Sequence, residues 1–521
     1  HQQFADLYAQ TLTYGIFAAR TRSSGDFNRE LIHKYIPNTL GILKSIFKFI
    51  SLEEPPQALT VLIDDIAEIL CVTDIQKILH TYYSEGKGSD PIVHFYETFL
   101  SEYDPALREK RGVYYTPEPV VRYIVHAIHS LLKSHFTLAD GLAAPEVTIL
   151  DPAAGTLTFP AEAIKTAIAE HQHKYGSGGI HKLLKEHILP HFHAIELMMA
   201  PYTVGHLKIS YLLAEHDYEM AEDERFKLYL SNTLEPDTPE QIPLPIAQDI
   251  SGECLLANKV KHQDPILVIM GNPPYSGASE NSNQWTESLL KDDPDGAQSY
   301  YVIDGKPLGE KNPKWLQDDY VKFLRFAQWK IHKAGKGIVG MITNHGYLDN
   351  PTFRGMRQSL MQTFDEIYVL DLHGNSLKKE TSPDGSKDEN VFDIRQGTAI
   401  ILMIKVDAAS CRMIKRQDGV STIGTPEPAT PKVHHHELYG MRTQKYDWLD
   451  NTPFSPALYK EISPSTPFYL FQPEASGNEH YLQWISLPDI FPVNSVGIVT
   501  ARDNLTIQDT PNQVRKTIHH F

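Results

Sequence analysis

The chain has 521 residues, with 48 Lys and Arg against 65 Asp and Glu, which gives a net charge of −17 with His neutral. That is several domains' worth of chain, and 41% hydrophobic with 22% charged residues is an ordinary globular composition; a small module, a disordered tail and a fibrous repeat are excluded. No stretch approaches the ~18 uninterrupted apolar residues of a membrane helix, and the acidic balance confines any phosphate-binding surface to a local basic cleft.

Up to about residue 105 the pattern is helical. Phe4, Leu7, Tyr8, Leu12 and Ile16 share one face at spacings of three and four, and so do Leu59, Leu62, Ile63, Ile66 and Leu70. From residue 106 short apolar runs alternate with longer amphipathic stretches, which is how a parallel sheet with crossover helices reads. The expected strands are 147–150, 193–196, 226–230, 266–271, 337–343, 367–371 and 399–405. They make a seven-stranded, doubly wound α/β domain over 106–405, with ligands at the carboxyl ends of the strands. Two polar excursions interrupt it, 280–312 and 374–390, and the second, with Lys378-Lys379-Glu380 and Pro383-Asp384-Gly385, reads as a mobile surface loop. Beyond 406, Gly424-Thr425-Pro426-Glu427-Pro428 marks a linker, and Phe468-Tyr469-Leu470-Phe471 opens a partial C-terminal domain reaching 521. The chain therefore reads as a piece of a longer polypeptide.

Cys71, Cys254 and Cys411 are too scattered for a disulfide frame or zinc site, and they read as buried thiols in a reducing, cytoplasmic setting. Three consecutive side chains cannot converge on one ion from a regular element, so His434-His435-His436 reads as a solvated loop. No metal site is expected. Nor is there a GxxxxGK[ST] phosphate loop, since Gly86-Lys87-Gly88 lacks the spacing and the hydroxyl.

Three segments carry chemistry. Ile149-Leu150-Asp151-Pro152-Ala153-Ala154-Gly155-Thr156-Leu157 runs from a strand into a small-residue turn, where backbone can approach a ligand and a strand-end carboxylate can bind an amino or hydroxyl group. The next strand ends at Glu196, the place for an acidic side chain on ribose hydroxyls; its distance from Gly155 is about twice the usual ~20 residues, so an insertion around 171–190 is required. Asn272-Pro273-Pro274-Tyr275 directly follows an apolar strand. Consecutive prolines fix φ and remove two donors, leaving a stiff turn of acceptors. The Asn272 amide oxygen and the Pro273 carbonyl can then accept from one exocyclic NH₂ group, while Tyr275 offers a face for stacking.

Asp151-Pro-Ala-Ala-Gly-Thr followed by Asn272-Pro-Pro-Tyr resembles the amino-group DNA methyltransferases, and the motif order is similar to their gamma class. Upstream, Arg111-Gly112-Val113-Tyr114-Tyr115-Thr116-Pro117-Glu118-Pro119 resembles the segment that holds the methionine end of the cofactor. Downstream, Phe392-Asp393-Ile394-Arg395-Gln396-Gly397 resembles the region whose aromatic residue meets the extruded base. The arrangement is similar to fused restriction-modification enzymes of the type ISP class, in which a helical coupler (here 1–105) joins an upstream nuclease-helicase to the methyltransferase and a target-recognition domain follows (here from 406).

The resemblance implies an S-adenosylmethionine-dependent N6-adenine methyltransferase acting on double-stranded DNA. Catalysis falls to Asn272, Pro273, Pro274 and Tyr275, with Tyr275 and Phe392 on either side of a flipped adenine. Cofactor contacts fall to Tyr115, Thr116, Asp151, Ala153, Gly155, Glu196 and Asn272, with Asn232 serving either the cofactor adenine or a backbone cap. Leu157 stands where many relatives have a second glycine. Two other readings stay open: a protein-glutamine or ribosomal-RNA guanine-N2 methyltransferase, and an inactive scaffold of a defence complex.

Overall fold

The computed structural model describes residues 2–23, 25–36, 41–52, 56–75, 77, 116–221, 224–236, 245–275, 279, 281–407, 431–473, 483–493, 508 and 510–519. Contacts divide the chain into two units, His1–Gln472 and Pro473–Phe521. Among its described residues the second contains the short helices Leu487–Ile490 and Pro511–His519. No described helix is long and apolar enough to cross a membrane.

The first unit is built on one sheet. Its strands are β1 (Ile149–Asp151), β2 (Phe192–Glu196), β3 (Lys227–Leu230), β4 (Val268–Gly271), β7 (Gly337–Asn344), β8 (Glu366–His373), β9 (Thr398–Lys405), β10 (Lys432–Glu437) and β11 (Lys460–Ile462), while β5 (Val302–Ile303) and β6 (Lys306–Pro307) form a separate hairpin. The order is β11-β10-β8-β9-β7-β4-β1-β2-β3. Every expected strand is present, displaced by no more than two residues. They were legible because both faces are covered: Ile149, Val268, Met270, Ile338 and Leu370 join one core layer, and Leu150, Ile269, Val339, Met341 and Val369 join the other.

Two features of the sheet position the site. β1 pairs in parallel with β2 on one side and β4 on the other, so the chain winds outward in both directions from the β1/β4 junction. Asp151 and Asn272 therefore emerge beside each other at the crevice where ligands bind in such sheets. Second, β9 lies antiparallel between β7 and β8. The β8–β9 connection, which bears Phe392, is thereby returned to the same edge.

The sequence reading needs four corrections here. The sheet has nine strands rather than seven, because β10 pairs in parallel with β8 and β11 pairs with β10. The His434–His436 run is therefore strand, not solvated loop: Val433 and His435 are buried on one face, while His434 stacks on Tyr368 and His436 on Trp448 on the other. Phe471 is fully buried in the first unit and its N–H donates to the Leu348 carbonyl, so 468–471 packs on the sheet domain instead of opening another. Cys71 is exposed and Cys254 half-buried, neither being a core thiol; Cys411 lies outside the described residues.

The insertion between Gly155 and Glu196 is a second helical leg. The Thr158–Tyr175 helix ends at Gly176, and after Gly179 the chain runs helically through a π turn, Leu184–Ile188, into β2. The Glu118–His135 helix crosses the sheet over Gly340, where any Cβ would clash with Ile128. Its first turn thereby reaches the end of β4. The described N-terminal helices, Gln2–Arg22, Gly41–Leu52 and Gln57–Val72 among them, share the first core layer through Leu12, Ile16, Phe47 and Ile63.

Candidate active site

β1 delivers Asp151 to a depth where it is 1% exposed. Its Oδ1 accepts from the Ala153 N–H at 3.1 Å, and its Oδ2 is buried with no hydrogen-bond partner. Burial, with Glu196 nearby, pushes its pKa up to about 8. Gly271 at the end of β4 makes room for this carboxylate, since a Cβ there would stand 2.7 Å from Asp151 Oδ1. A bare acceptor at that depth is the signature of a place shaped for a donor, such as the ammonium of an amino acid.

The turn beyond it is open on one side. Gly155 has φ of +52° and nothing within 4 Å of where its Cβ would be. Leu157 also takes a left-handed conformation, φ +62°, at a penalty of about 1–2 kcal/mol for a side chain. Its side chain is fully buried against Gly205 and leaves the open side of the turn clear.

Glu196 joins the two turns. One carboxylate oxygen accepts from the Gly155 N–H at 2.8 Å and the other from the Met198 N–H at 2.7 Å. Asn232 has the capping role foreseen as one alternative: its Oδ1 accepts from the Leu234 N–H at 3.0 Å, and its Nδ2 donates to Asn281 at 2.8 Å. Asn281 donates in turn to Asp319, at the start of the Asp319–Ala334 helix, at 2.9 Å, so it links the turn after β3 to that helix.

At the end of β4, Asn272 is half-buried and held from both sides. Its Nδ2 donates to Thr116 Oγ1 at 3.0 Å, just ahead of the Glu118–His135 helix, and its Oδ1 accepts from the Tyr275 hydroxyl at 2.9 Å. Burial and the neighbouring Tyr347 and Asp318 hold the Tyr275 hydroxyl well above its usual pKa, so it remains a donor. The Thr116 contact was not readable from sequence, since Thr116 and Asn272 lie 156 positions apart. Tyr115 lies outside the described residues.

Phe392 is 4% exposed, and its ring meets Tyr275 edge to face, with centroids 6.5 Å apart and planes at 90°. The two rings stand perpendicular here, whereas a base held between two faces needs them parallel and about 7 Å apart. Tyr275 closes the place instead, with its hydroxyl on the Asn272 oxygen that a base would need.

The 374–390 excursion is a surface loop, exposed over 376–379 and 383–387, whose base is anchored at the end of β8. Asp371, His373 and His345 lie beneath it with ligand atoms within 4.8 Å of one another, a geometry a metal can use. They are already engaged among themselves and with their neighbours: His345 Nδ1 with Asp371 at 3.0 Å, His345 Nε2 with Asn375 at 3.1 Å, and His373 Nδ1 with Glu380 at 2.9 Å. Burial acting alone lowers a histidine pKa, but the hydrogen bond to Glu380 and the nearby carboxylates of Glu437 and Asp371 raise that of His373 to about 9. It is a cation among three carboxylates, and the cluster braces the end of β8.

Comparison with known proteins follows this geometry. The sequence profile described as N-6 DNA Methylase matches residues 87–352. Among solved structures, the DrdV–DNA complex superposes with a TM-score of 0.67 at 23% identity, covering 99% of this chain and 46% of that one. The ATP-dependent Type ISP restriction-modification enzyme LlaBIII bound to DNA gives 0.72 at 23%, covering 99% and 33%. A nuclease-deletion mutant of the Type ISP enzyme LlaGI with a DNA substrate mimic gives 0.68 at 22%, covering 99% and 38%. At these identities the likeness establishes the fold, and the chain spans between a third and a half of each of those proteins. No curated protein sequence matches it.

Proposed function

The chain belongs to the N-6 DNA methylase family, and from that premise we propose that it methylates adenine N6 in double-stranded DNA with S-adenosylmethionine, as the methyltransferase portion of a cytoplasmic type ISP-like restriction-modification enzyme. The observation that carries the reading is the juxtaposition at the β1/β4 junction: a buried carboxylate with one bare oxygen beside a prolyl corner that opens on an amide held between Thr116 and Tyr275. Upstream nuclease-helicase domains in the same polypeptide belong to the same proposal, in keeping with the longer chains it resembles.

The residues present fit the cofactor. Asp151 Oδ2 would receive its amino group, Glu196 its ribose hydroxyls, and the open backbone of Ala153 and Gly155 its close approach; Tyr115 and Thr116 would meet its carboxylate and Asn232 its adenine. When bound, S-adenosylmethionine supplies an electrophilic methyl group on sulfur.

The protein's task is to make a poor nucleophile better. The N6 lone pair is delocalised into the adenine ring, and the base must leave the duplex at a cost of a few kcal/mol. An entering adenine displaces the Tyr275 hydroxyl from Asn272 Oδ1, which then accepts one N6 hydrogen while the Pro273 carbonyl accepts the other. This draws the nitrogen toward tetrahedral geometry and frees its lone pair. Tyr275 turns a ring face to the base opposite Phe392, where stacking offsets the loss of the duplex by about 1–3 kcal/mol. No strong base is required, because the proton leaves a cationic amine after attack, and the rate comes from positioning and electrostatics.

Asn272→Ala tests this. Pro273 and Pro274 fix the backbone of the corner without the Asn272 side chain, so the corner survives truncation, and cofactor affinity by calorimetry is expected to remain within a fewfold of wild type. Incorporation of labelled methyl into DNA is expected to fall by at least about a hundredfold. Undiminished incorporation refutes the mechanism.

A further inference from the structure

The Arg442–Asn451 helix follows β10 and carries none of the motifs, yet it grips the backbone of the loop that presents Phe392. Arg442 Nε donates to the Asn390 carbonyl at 2.7 Å and its Nη2 to the Phe392 carbonyl at 2.8 Å. The Tyr446 hydroxyl donates to the Val391 carbonyl at 2.6 Å. Lys445, fully buried, donates to the carbonyls of Leu372 and Glu389 at 2.7 and 2.6 Å and pairs with the buried Asp388 carboxylate at 2.8 Å. Three consecutive carbonyls, 390 to 392, are thus each held by a side chain of one helix.

Its other end reaches the opposite wall of the site. Asp450 receives a bidentate pair from Arg122, both bonds at 2.9 Å, on the Glu118–His135 helix that begins beside Thr116 and Asn272. Trp448 packs against Tyr123 of that helix, with centroids 5.8 Å apart. One rigid element therefore spans from the Phe392 loop to the segment that orients the Asn272 amide.

We propose that this helix is a positioning strut: Arg442 and Tyr446 set the height of Phe392 relative to Tyr275 and Asn272, and so fix the gap into which the extruded base enters. Backbone carbonyls are the right target for such a device, because holding the chain on either side of Phe392 places its ring without touching the face the base must use. The inference rests on the proposed methyl transfer to DNA.

The test compares Tyr446→Phe, which removes one hydrogen bond and keeps the ring, with Arg442→Ala and Arg442→Lys, in the full chain with plasmid DNA and tritiated S-adenosylmethionine. Tyr446→Phe is expected to lower kcat about threefold to tenfold, the rate equivalent of one neutral hydrogen bond. Arg442→Ala is expected to lower it at least about tenfold, with Arg442→Lys between it and wild type because an ammonium can serve one carbonyl but not hold two in a fork. Cofactor affinity by calorimetry is expected to stay within about twofold, which separates positioning from general loss of fold. If Arg442→Ala fails to bind cofactor, Tyr446→Phe decides. Wild-type kcat in Tyr446→Phe and Arg442→Lys, whatever their melting temperatures, overturns the strut. A wild-type chain that transfers no methyl to DNA overturns instead the reading beneath it, and the inference with it.

Discussion

In the proposed function, Asp151 is the residue on which cofactor recognition turns. With a pKa near 8 it is largely neutral at pH 7 in the free protein, and pairing with an ammonium requires it to ionise. The ligand's own α-amino group titrates at about 8. Affinity for S-adenosylmethionine is therefore expected to climb roughly tenfold from about pH 6 to about pH 8 and to fall above that, while Asp151→Asn is weak and flat across the range; calorimetry at several pH values checks it, and a wild-type profile as flat as the variant's contradicts it. Asp151, Glu196 and Asn272 were legible in sequence because each stands at the end of an apolar strand, where a polar group must serve either a cap or a ligand. The hydrogen bond from Asn272 to Thr116 was not, since it depends on which distant segments the sheet brings together. The perpendicular Tyr275–Phe392 contact was hidden for the same reason.

Among the elements, the β8–β9 connection shows how charge replaces apolar packing. His373 is buried with φ of +52°, stacked on Tyr439, and held between Glu380, Asp371 and Glu437. A histidine whose pKa is raised contributes stability that is full below its unfolded pKa of about 6.5 and lost as pH rises through about 9. Asp371, held low by His345 and His373 against the effect of burial, contributes above the ordinary carboxylate range and loses this as pH falls through its depressed value. The brace is thus strongest between these limits. His373→Gln is expected to melt below wild type near neutral pH, and the difference is expected to shrink as pH passes about 9; a gap constant from pH 7 to 10 in thermal melts refutes this account. Polar composition made the 374–390 segment look loose, and it made β10 look like loop. In the first, His373 and the carboxylates around it occupy buried positions through mutual pairing, and in β10 the His434 and His436 rings stack on Tyr368 and Trp448; hydrophobic periodicity registers neither. Arg325 and Arg357, both fully buried, act alike by donating to carbonyls such as those of Ala297 and Tyr347.

At the scale of the molecule, a single sheet edge gathers every described residue in the mechanism. Winding outward from β1/β4 brings the Asp151 turn, the Glu196 turn and the prolyl corner together, and the antiparallel insertion of β9 adds Phe392. The doubly wound core was readable from its apolar runs, but its extent was not. Residues 432–462 widen the sheet and supply the helix that holds the Phe392 loop, so a catalytic domain cut at 405 would lack part of its own scaffold. The central claim, that this edge presents the N6 amino group of adenine for methylation, is tested most directly by incubating the chain with plasmid DNA and S-adenosylmethionine, digesting the DNA to nucleosides and identifying the methylated one by mass spectrometry. The account predicts N6-methyldeoxyadenosine, absent when Asn272→Ala replaces wild type. Methylated deoxyguanosine, or label found only in protein or RNA, would contradict it.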